Sequence, residues 1–590
     1  MNSFIDYLNS TNNAGTNTTG SLAEYQVKSR YFNVIRVDRQ IGKYIAGCVR
    51  SNSPQAFILT GYAGDGKTSI LAQVLSELGY LNSDGLSVEE EFPDFRYVKD
   101  MSEITKERQV SLLESILSAP KAHKTGLLIS NTGPLLKVFE SFVEKEYEKS
   151  GRLFTSDDKL KLQSTLLTQL DENSDKPLDI CGYSFNLLNI ARIDNVSFAP
   201  KLLGKIISPE LWSDCQNCKC VGKCPIKHNR DIIENQFERV SGFIESYYRF
   251  LFENDKRMTI RQMMSQISFA ITGNLTCADV MKRDLRDPFF RYNFANLFFG
   301  FCGVKPVNDA LQIQGIREIQ NLAPYHIALD VDYEIFVSQE LRCFNEELRE
   351  LLASKLRREY HKLSRPADDD TEDHKKLAAQ ALFRGAIRRF YLMYSLFDDE
   401  KGFDRLMDQI FGRLYSEYKA LISSVQPKSQ LNAMRAIVFN ALYVRNTGAL
   451  PDRKTDIPLT LRRDDNVFQN VMIVLGSVNR SKLSIIQKKA AGRFSDADDK
   501  QELYLRFGKS EFRLTLPMVN YFGSLIDGAI DSEKDPALSH GIAQLDALLL
   551  DNFGNDQADS PDSCELSLLI SKLSGQEIMQ INFDENNIDI

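Results

Sequence analysis

A chain of 590 residues is too long for one ordinary core and implies roughly three or four domains. Its 43% hydrophobic and 26% charged residues are the make-up of a globular protein, which excludes a disordered chain, and no run approaches the ~20 consecutive apolar residues of a membrane-spanning helix. A net charge of −8 removes any global electrostatic case for nucleic-acid binding and leaves only local basic patches.

Met1–Gly20 is polar and rich in Asn, Thr, Ser and Gly, without the basic start and apolar stretch of a signal peptide. It reads as a flexible arm spanning residues 1–22. Ala23–Cys48 carries apolar residues at helical spacing. Gln55–Thr60 is then a short apolar run between Pro54 and Gly61, the pattern of a buried parallel strand, and Thr68–Leu78 reads as a helix lying back on it. Further strands are expected at Phe95–Val98, Gly126–Ser130 and Tyr183–Ile190, with helices at Lys106–Leu117 and Leu135–Lys149 between them. This alternation predicts an α/β, mostly parallel sheet over residues 23–230.

Beyond Asp231 the pattern is helical, with apolar faces in Ile232–Phe252, Ile260–Ile271, Glu340–Tyr360, Lys375–Leu396 and Phe403–Ser424. We expect a helical lid over 231–335, a helical domain over 336–480 and a small C-terminal α+β region over 481–590. In the last, Glu502–Phe507 and Glu511–Leu516 flank Gly508-Lys-Ser as a hairpin, and shorter strands are expected at Cys564–Leu569 and Ile578–Phe583.

Gly61-Tyr62-Ala63-Gly64-Asp65-Gly66-Lys67-Thr68 satisfies the G-x-x-x-x-G-K-[ST] phosphate-loop pattern, directly after a strand and opening a helix. In that chemistry the glycines, with Tyr62, Ala63, Asp65 and Ser69 around them, let backbone amides cradle a β-phosphate at a helix N-terminus. Lys67 reaches the β- and γ-phosphates, and the Thr68 hydroxyl ligates Mg²⁺. The pattern predicts binding of ATP with Mg²⁺. Hydrolysis further needs an acid at a neighbouring strand end. Spacing makes Gly126–Ser130 that strand, yet it runs into Asn131, a residue suited to orienting water or sensing a γ-phosphate and a poor metal ligand. Asp100 is the better acidic candidate and Asp194 a weaker one. Arg261, which opens a helix after Thr259, is a candidate sensor arginine, and Arg384, Arg388 and Arg389 share another helix.

Of ten cysteines, four crowd between Cys215 and Cys224, an arrangement that fits a reduced, cytoplasmic setting and a metal site better than a disulfide framework. Cys215, Cys218 and Cys224 are the expected ligands of a structural Zn²⁺, with Cys220 or His228 as the fourth. An iron–sulfur cluster would use the same thiols.

Together these motifs resemble a family. The glycine loop is followed by Asn131-Thr-Gly133, by Trp212-x-x-Cys215-x-x-Cys218-x5-Cys224-Pro-Ile-x-x-Asn229, by Thr259-Ile-Arg261, and by Tyr292-Asn293 ahead of Leu297-Phe298. Over residues 25–400 the chain is similar to the large P-loop ATPases of bacterial phage-defence operons, above all the DptF-like ATPases of DNA phosphorothioation-dependent restriction. The resemblance implies an AAA+-like or STAND-like core, nucleotide at Gly61, Gly66, Lys67 and Thr68, zinc at Cys215, Cys218 and Cys224, and a sensing role for Arg261. It also implies homo-oligomers, partner subunits of a restriction complex, DNA contacted directly or through those partners, and no membrane. Two functions compete: a motor ATPase, and a nucleotide-gated scaffold or signalling NTPase that recruits an effector. No spaced Asp…Glu-x-Lys set or Ser/His/Asp order supports an autonomous nuclease.

Overall fold

Ala56–Thr60 is apolar up to its terminal threonine, and all five residues are buried, the pattern of a strand covered on both faces. In the computed structural model this strand lies inside a six-stranded sheet. In chain order the strands are β1 (Ala56–Thr60), β2 (Glu89–Glu91), β3 (Phe95–Lys99), β4 (Thr125–Ile129), β5 (Leu178–Ile180) and β6 (Tyr183–Asn189). Their order across the sheet is β2-β3-β4-β1-β6-β5. The inner four are parallel, with Phe57 opposite Leu127 on one side and opposite Asn186 on the other. The short edge strands β2 and β5 run antiparallel to their neighbours, so the sheet is mixed.

The structure describes residues 1–12, 29–81, 86–99, 105–173, 176–321, 329–363, 365, 370–451, 456–461, 470–490, 494, 496, 500–528, 535–554, 563–572, 575–584 and 587–589. They form two units, one of residues 1–400 with 491–498, the other of residues 401–490 with 499–590. The domain borders expected at 230/231, 335/336 and 480/481 do not coincide with that division. No helix among the described residues is long and apolar enough to cross a membrane.

The relevant helices of the first unit are α1 (Ser3–Asn12), α2 (Gln40–Arg50), α3 (Lys67–Leu78), α4 (Lys106–Ser118), α5 (Thr132–Lys149), α6 (Ser156–Glu172), α7 (Pro225–Asn235), α8 (Phe237–Glu253), α9 (Ile260–Thr272) and α10 (Cys277–Lys282). Strand pleat sends alternate residues to opposite faces. Phe57 and Leu59 pack with Ile41 and Ile45 of α2 and Ile70, Leu71 and Val74 of α3. Ala56 and Ile58 pack on the other face with Leu113 and Ile116 of α4, Phe139 and Phe142 of α5, and Leu166 of α6. The connection leaving β1 thus covers one face, and the connections after β3 and β4 cover the other. Such a change of face beside β1 opens a crevice at the carboxyl ends of the strands.

Several expectations need correcting. The N-terminal segment is no free arm: Ser3–Asn12 is helical, with Phe4, Ile5 and Leu8 buried and the Phe4 ring edge-on to Trp212 at 6.0 Å. Three apolar residues at helical spacing suffice once tertiary contacts bury them, although a helix of ten residues is marginal alone. The rest of that arm lies outside the described residues. The helix expected over Ala23–Cys48 is broken at Arg39, which is extended and caps α2. The helical domain expected over 336–480 ends early: Asp456–Leu461 and Val471–Asn479 are antiparallel strands, and the second alternates buried and exposed positions.

The second unit combines helices, among them Lys428–Thr447, Leu516–Ile526 and Pro536–Phe553, with two antiparallel sheets. Phe507 pairs with Ser510 around Gly508, whose φ is +58°, giving the hairpin that its sequence announces. Ser563–Lys572 and Gly575–Asp584 pair over their full length.

Candidate functional site

The turn between β1 and α3 is built by glycine. Gly61, Gly64 and Gly66 have φ of +152°, +92° and +85°, a region that side chains disfavour. Space is equally short. A Cβ on Gly64 would meet Arg261 Cβ and Thr259 Oγ1 at 3.1 Å, and one on Gly66 would meet Ile260 Cδ1 at 3.0 Å. The loop is therefore pressed against the first turn of α9, where the Arg261 amide donates to the Gly64 carbonyl at 3.3 Å. Thr259 and Gln262 hold that turn in a reciprocal capping box. Gly66 caps α3 and brings no side-chain acceptor. The first-turn amides of this helix of twelve residues are thus a ready anion site.

Lys67 folds its ammonium onto the loop, donating to the carbonyls of Gly61 at 2.7 Å and Tyr62 at 3.0 Å and to Asn131 Oδ1 at 3.2 Å. Asn131 is the N-cap of α5, yet its side chain makes no capping bond. An asparagine there ordinarily accepts an amide of the first turn; this one faces Lys67 instead. Beside it the hydroxyls of Thr60 and Thr132 share a 2.6 Å hydrogen bond that ties the end of β1 to the start of α5. Thr68 and Ser69 are half-buried, and neither hydroxyl is hydrogen-bonded to another described residue. Tyr62 is 73% exposed, and Ala63 is exposed beside it.

Asp65 is fully buried and faces inward. Its carboxylate accepts the Tyr62 amide at 2.8 Å and pairs with Arg257 at 2.5 Å. Its carbonyl accepts Arg39 Nη1 at 3.2 Å. Arg39 is buried as well, donating through Nε to Asp496 at 2.9 Å, while the Gln40 amide donates to the other Asp496 oxygen at 2.9 Å. Burial pushes the Arg39 guanidinium below its ordinary pKa, and Asp496 opposes the shift. The Asp65 carboxylate thus braces the loop from behind.

Arg261 differs from these arginines. It is half-buried, burial lowers its pKa, and its guanidinium has no hydrogen bond or ion pair among the described residues. A desolvated cation without an acceptor beside an anion-shaped loop is a place for an incoming negative group. Asp194, the weaker acidic candidate for the metal, is buried and ion-paired with Arg249 while it accepts the Val196 amide at 3.0 Å. Asp100 lies outside the described residues. Arg388 pairs with Asp332, and Arg389 donates to Asn296 at 2.9 Å and to the Gly303 carbonyl at 2.8 Å. Both are structural.

The cysteine segment forms a second candidate. Trp212 anchors it, donating its indole N–H to the Ile206 carbonyl at 2.7 Å. Cys215 is buried, and its thiol accepts Asn2 Nδ2 at 3.5 Å. Cys224 is the N-cap of α7, and its side chain makes no capping hydrogen bond. Burial raises the pKa of both thiols. Cys218 is half-buried and Cys220 buried. His228 turns elsewhere: its Nδ1 is 3.5 Å from Glu347, its ring lies 4.4 Å from that of Phe289, and burial lowers its pKa. Its Nε2 is buried without a hydrogen-bond partner among the described residues. Among the described residues no three His, Cys, Asp or Glu side chains are gathered closely enough to hold an ion. The five donors expected from spacing therefore do not form a closed shell.

Comparison with family models, curated proteins and solved structures found no match. Arg257, Arg39 and Asp496 were not foreseen. The one signal in the sequence was Asp65 itself, an acid inside a glycine-rich turn that needs a counter-charge.

Proposed function

We propose that the chain is a P-loop NTPase of AAA+-like or STAND-like type that binds ATP with Mg²⁺ at Gly61–Ser69. One observation carries the reading: three glycines at positive φ join a buried strand to a helix whose first residue, Lys67, lays its ammonium along the loop's own carbonyls. A phosphate would replace those carbonyls as the acceptor, a charge-assisted contact stronger than the neutral ones it displaces. The residues fit the group. The Cβ-free cradle leaves room for a phosphate against backbone amides, and the Thr68 hydroxyl is uncommitted to hold Mg²⁺, which when bound neutralises charge on the β- and γ-phosphate oxygens. Asn131 meets Lys67 and so senses whatever Lys67 binds; Arg261 supplies a second cation from α9.

The chain acts in this reading as the motor or switch subunit of a cytoplasmic anti-phage restriction complex, as a homo-oligomer with partner subunits. That step rests on the resemblance of its motifs to DptF-like ATPases. With a net charge of −8, contact with DNA runs through a local patch or a partner. A second reading, a nucleotide-gated scaffold without efficient turnover, is favoured by one observation: the strand end beside the loop offers an amide at Asn131 where a metal-holding acid is expected. Phosphate release by the purified chain, compared with Lys67→Ala and Asp100→Ala, decides between them. Turnover well above that of Lys67→Ala supports the motor; tight ATP binding with turnover equal to that variant supports the scaffold; no ATP binding defeats both.

A further inference from the structure

We propose that Asp496 is a positioning residue of the glycine-rich loop: acting through Arg39, it holds the Asp65–Gly66 peptide so that the Gly66 amide stays aimed at a phosphate. The inference rests on the nucleotide reading and adds to it a control that comes from a distant part of the chain.

The peptide itself supplies the first step. The Asp65–Gly66 bond is trans, so its carbonyl and its N–H point in opposite directions across one plane. Arg39 Nη1 donates to the Asp65 carbonyl at 3.2 Å. Fixing that carbonyl on the Arg39 side therefore fixes the Gly66 amide on the other. The Gly66 amide donates to no acceptor among the described residues, and it leads directly into the first turn of α3, whose N-terminus favours an anion. A donor held in place before the ligand arrives binds more tightly than one the ligand must first order.

Arg39 is held on every side in its turn. Its Nε and Nη2 both face Asp496 Oδ2, at 2.9 Å and 2.8 Å, and the other Asp496 oxygen accepts the Gln40 amide at 2.9 Å. Its backbone is tied to α3: the Arg39 amide donates to Gln73 Oε1 at 2.8 Å, and its carbonyl accepts Gln73 Nε2 at 3.1 Å. Gln73 reaches it because residue 42 is glycine, where a Cβ would lie 2.5 Å from Gln73 Oε1. The charges are matched in pairs, Arg257 with Asp65 and Arg39 with Asp496. Without Asp496 the two cations would share the Asp65 carboxylate, and the Arg39 fork would lose the contact that turns its Nη1 to the carbonyl.

The place of Asp496 in the chain gives this contact its interest. Residues 491–498 belong by their contacts to the first unit, whereas 401–490 and 499–590 belong to the second. Asp496 lies on the connection between the antiparallel strands Leu483–Lys489 and Gln501–Phe507, which pair to their ends, with Lys489 opposite Gln501 and the Ala490 amide donating to the Lys500 carbonyl at 2.9 Å. Phe494, on the same connection, is buried in the apolar cluster of Phe57, Leu59 and Ile70, its ring 5.1 Å from that of Tyr44. One strand connection of the second unit's sheet thus brings an apolar anchor and a carboxylate to the back of the loop. Whatever displaces that connection withdraws Asp496, and by linkage nucleotide binding and the seating of the connection strengthen each other.

Binding of a fluorescent ATP analogue with Mg²⁺ is measured on the full chain as wild type, Asp496→Asn, Arg39→Lys and the double variant, each with its urea midpoint. We expect affinity to fall about tenfold in each single variant, the scale of one well-oriented hydrogen bond, and no further in the double, because both changes act through one guanidinium. The lysine keeps the charge but cannot face Asp496 and the Asp65 carbonyl together. Wild-type affinity in folded Asp496→Asn, with only the urea midpoint lowered, assigns the aspartate to the scaffold and overturns the proposal; so do additive losses in the double variant. If neither single variant folds, hydrogen exchange on wild type decides: the peptide carrying Phe494 and Asp496 should exchange more slowly with the analogue bound, and unchanged exchange overturns the proposal. An analogue that fails to bind wild type defeats the nucleotide reading itself, a result distinct from all of these, and the proposal falls with it.

Discussion

The glycine-rich loop and the cysteine-rich segment were both found by spacing, but the fold treats them differently. In the loop each motif glycine meets a local demand, since Gly64 and Gly66 sit at φ of +92° and +85° with α9 closing on the positions a Cβ would take. Between Cys215 and His228 the spacing names donors and little more. His228 faces Glu347 and Phe289, and among the described residues no three of the donors are gathered closely enough to hold an ion. A motif whose function is a backbone conformation can be read locally; one whose function is a convergence of side chains cannot.

That contrast can be tested where the two kinds of residue meet. The largest effect is expected behind the loop. Asp65→Ala leaves Arg257 partly buried and unpaired and removes the brace on Tyr62, and losing one partner of a buried pair costs about 3–5 kcal/mol. Chemical denaturation should show that loss of stability. If Asp65→Ala were as stable as wild type but failed to bind ATP, the carboxylate would belong to the ligand and not to the scaffold.

Lys67→Ala removes the charged donor and little of the core. ATP affinity, followed with a fluorescent analogue, should fall by about 10- to 100-fold, the equivalent of a hydrogen bond to a charged group, with stability nearly unchanged. Arg261→Ala should separate from Asp65→Ala in the opposite sense. Its guanidinium has no acceptor to lose, so stability should hold or rise slightly, while ATP affinity or turnover falls by a few-fold to about tenfold. A large loss of stability in Arg261→Ala would show that the arginine is structural.

The smallest effect concerns pH. Burial holds the His228 imidazole neutral, so its folded pKa lies below the unfolded value of about 6.5. The unfolded chain then binds the proton more readily, and this group's contribution to stability is present above that value and lost as pH falls through it. In chelator-treated protein, the drop in urea midpoint between pH 7.5 and 5.5 should be smaller in His228→Gln than in wild type. Equal drops would mean the ring is open to solvent.

Much of the sheet was legible. The apolar runs at Phe57–Leu59 and Leu127–Ile129 and the aromatic alternation of Phe95 and Tyr97 announce β1, β4 and β3, because strands buried on two faces need continuous or alternating apolar surface. The edge strands β2 and β5 were missed because each has three residues and β2 is Glu89-Glu90-Glu91, which carries no apolar period at all. Helix α1 was missed for a related reason. Phe4, Ile5 and Leu8 sit among polar residues, and partners far along the chain, Trp212 and helix α9 among them, give them something to bury against.

Local sequence thus settled the strand–glycine loop–helix unit, since positive φ and apolar continuity are properties of a few consecutive residues. Tertiary structure decided the partners of the charged and polar side chains. Arg39 and Asp496 are 457 positions apart and nevertheless form one buried pair behind the loop. The fold likewise turned Asn131 away from its capping role to face Lys67, and set His228 against Glu347 and Phe289. The physical reason is common to all three. A buried polar group must find its partner in space, and no periodicity along the chain records where that partner will be.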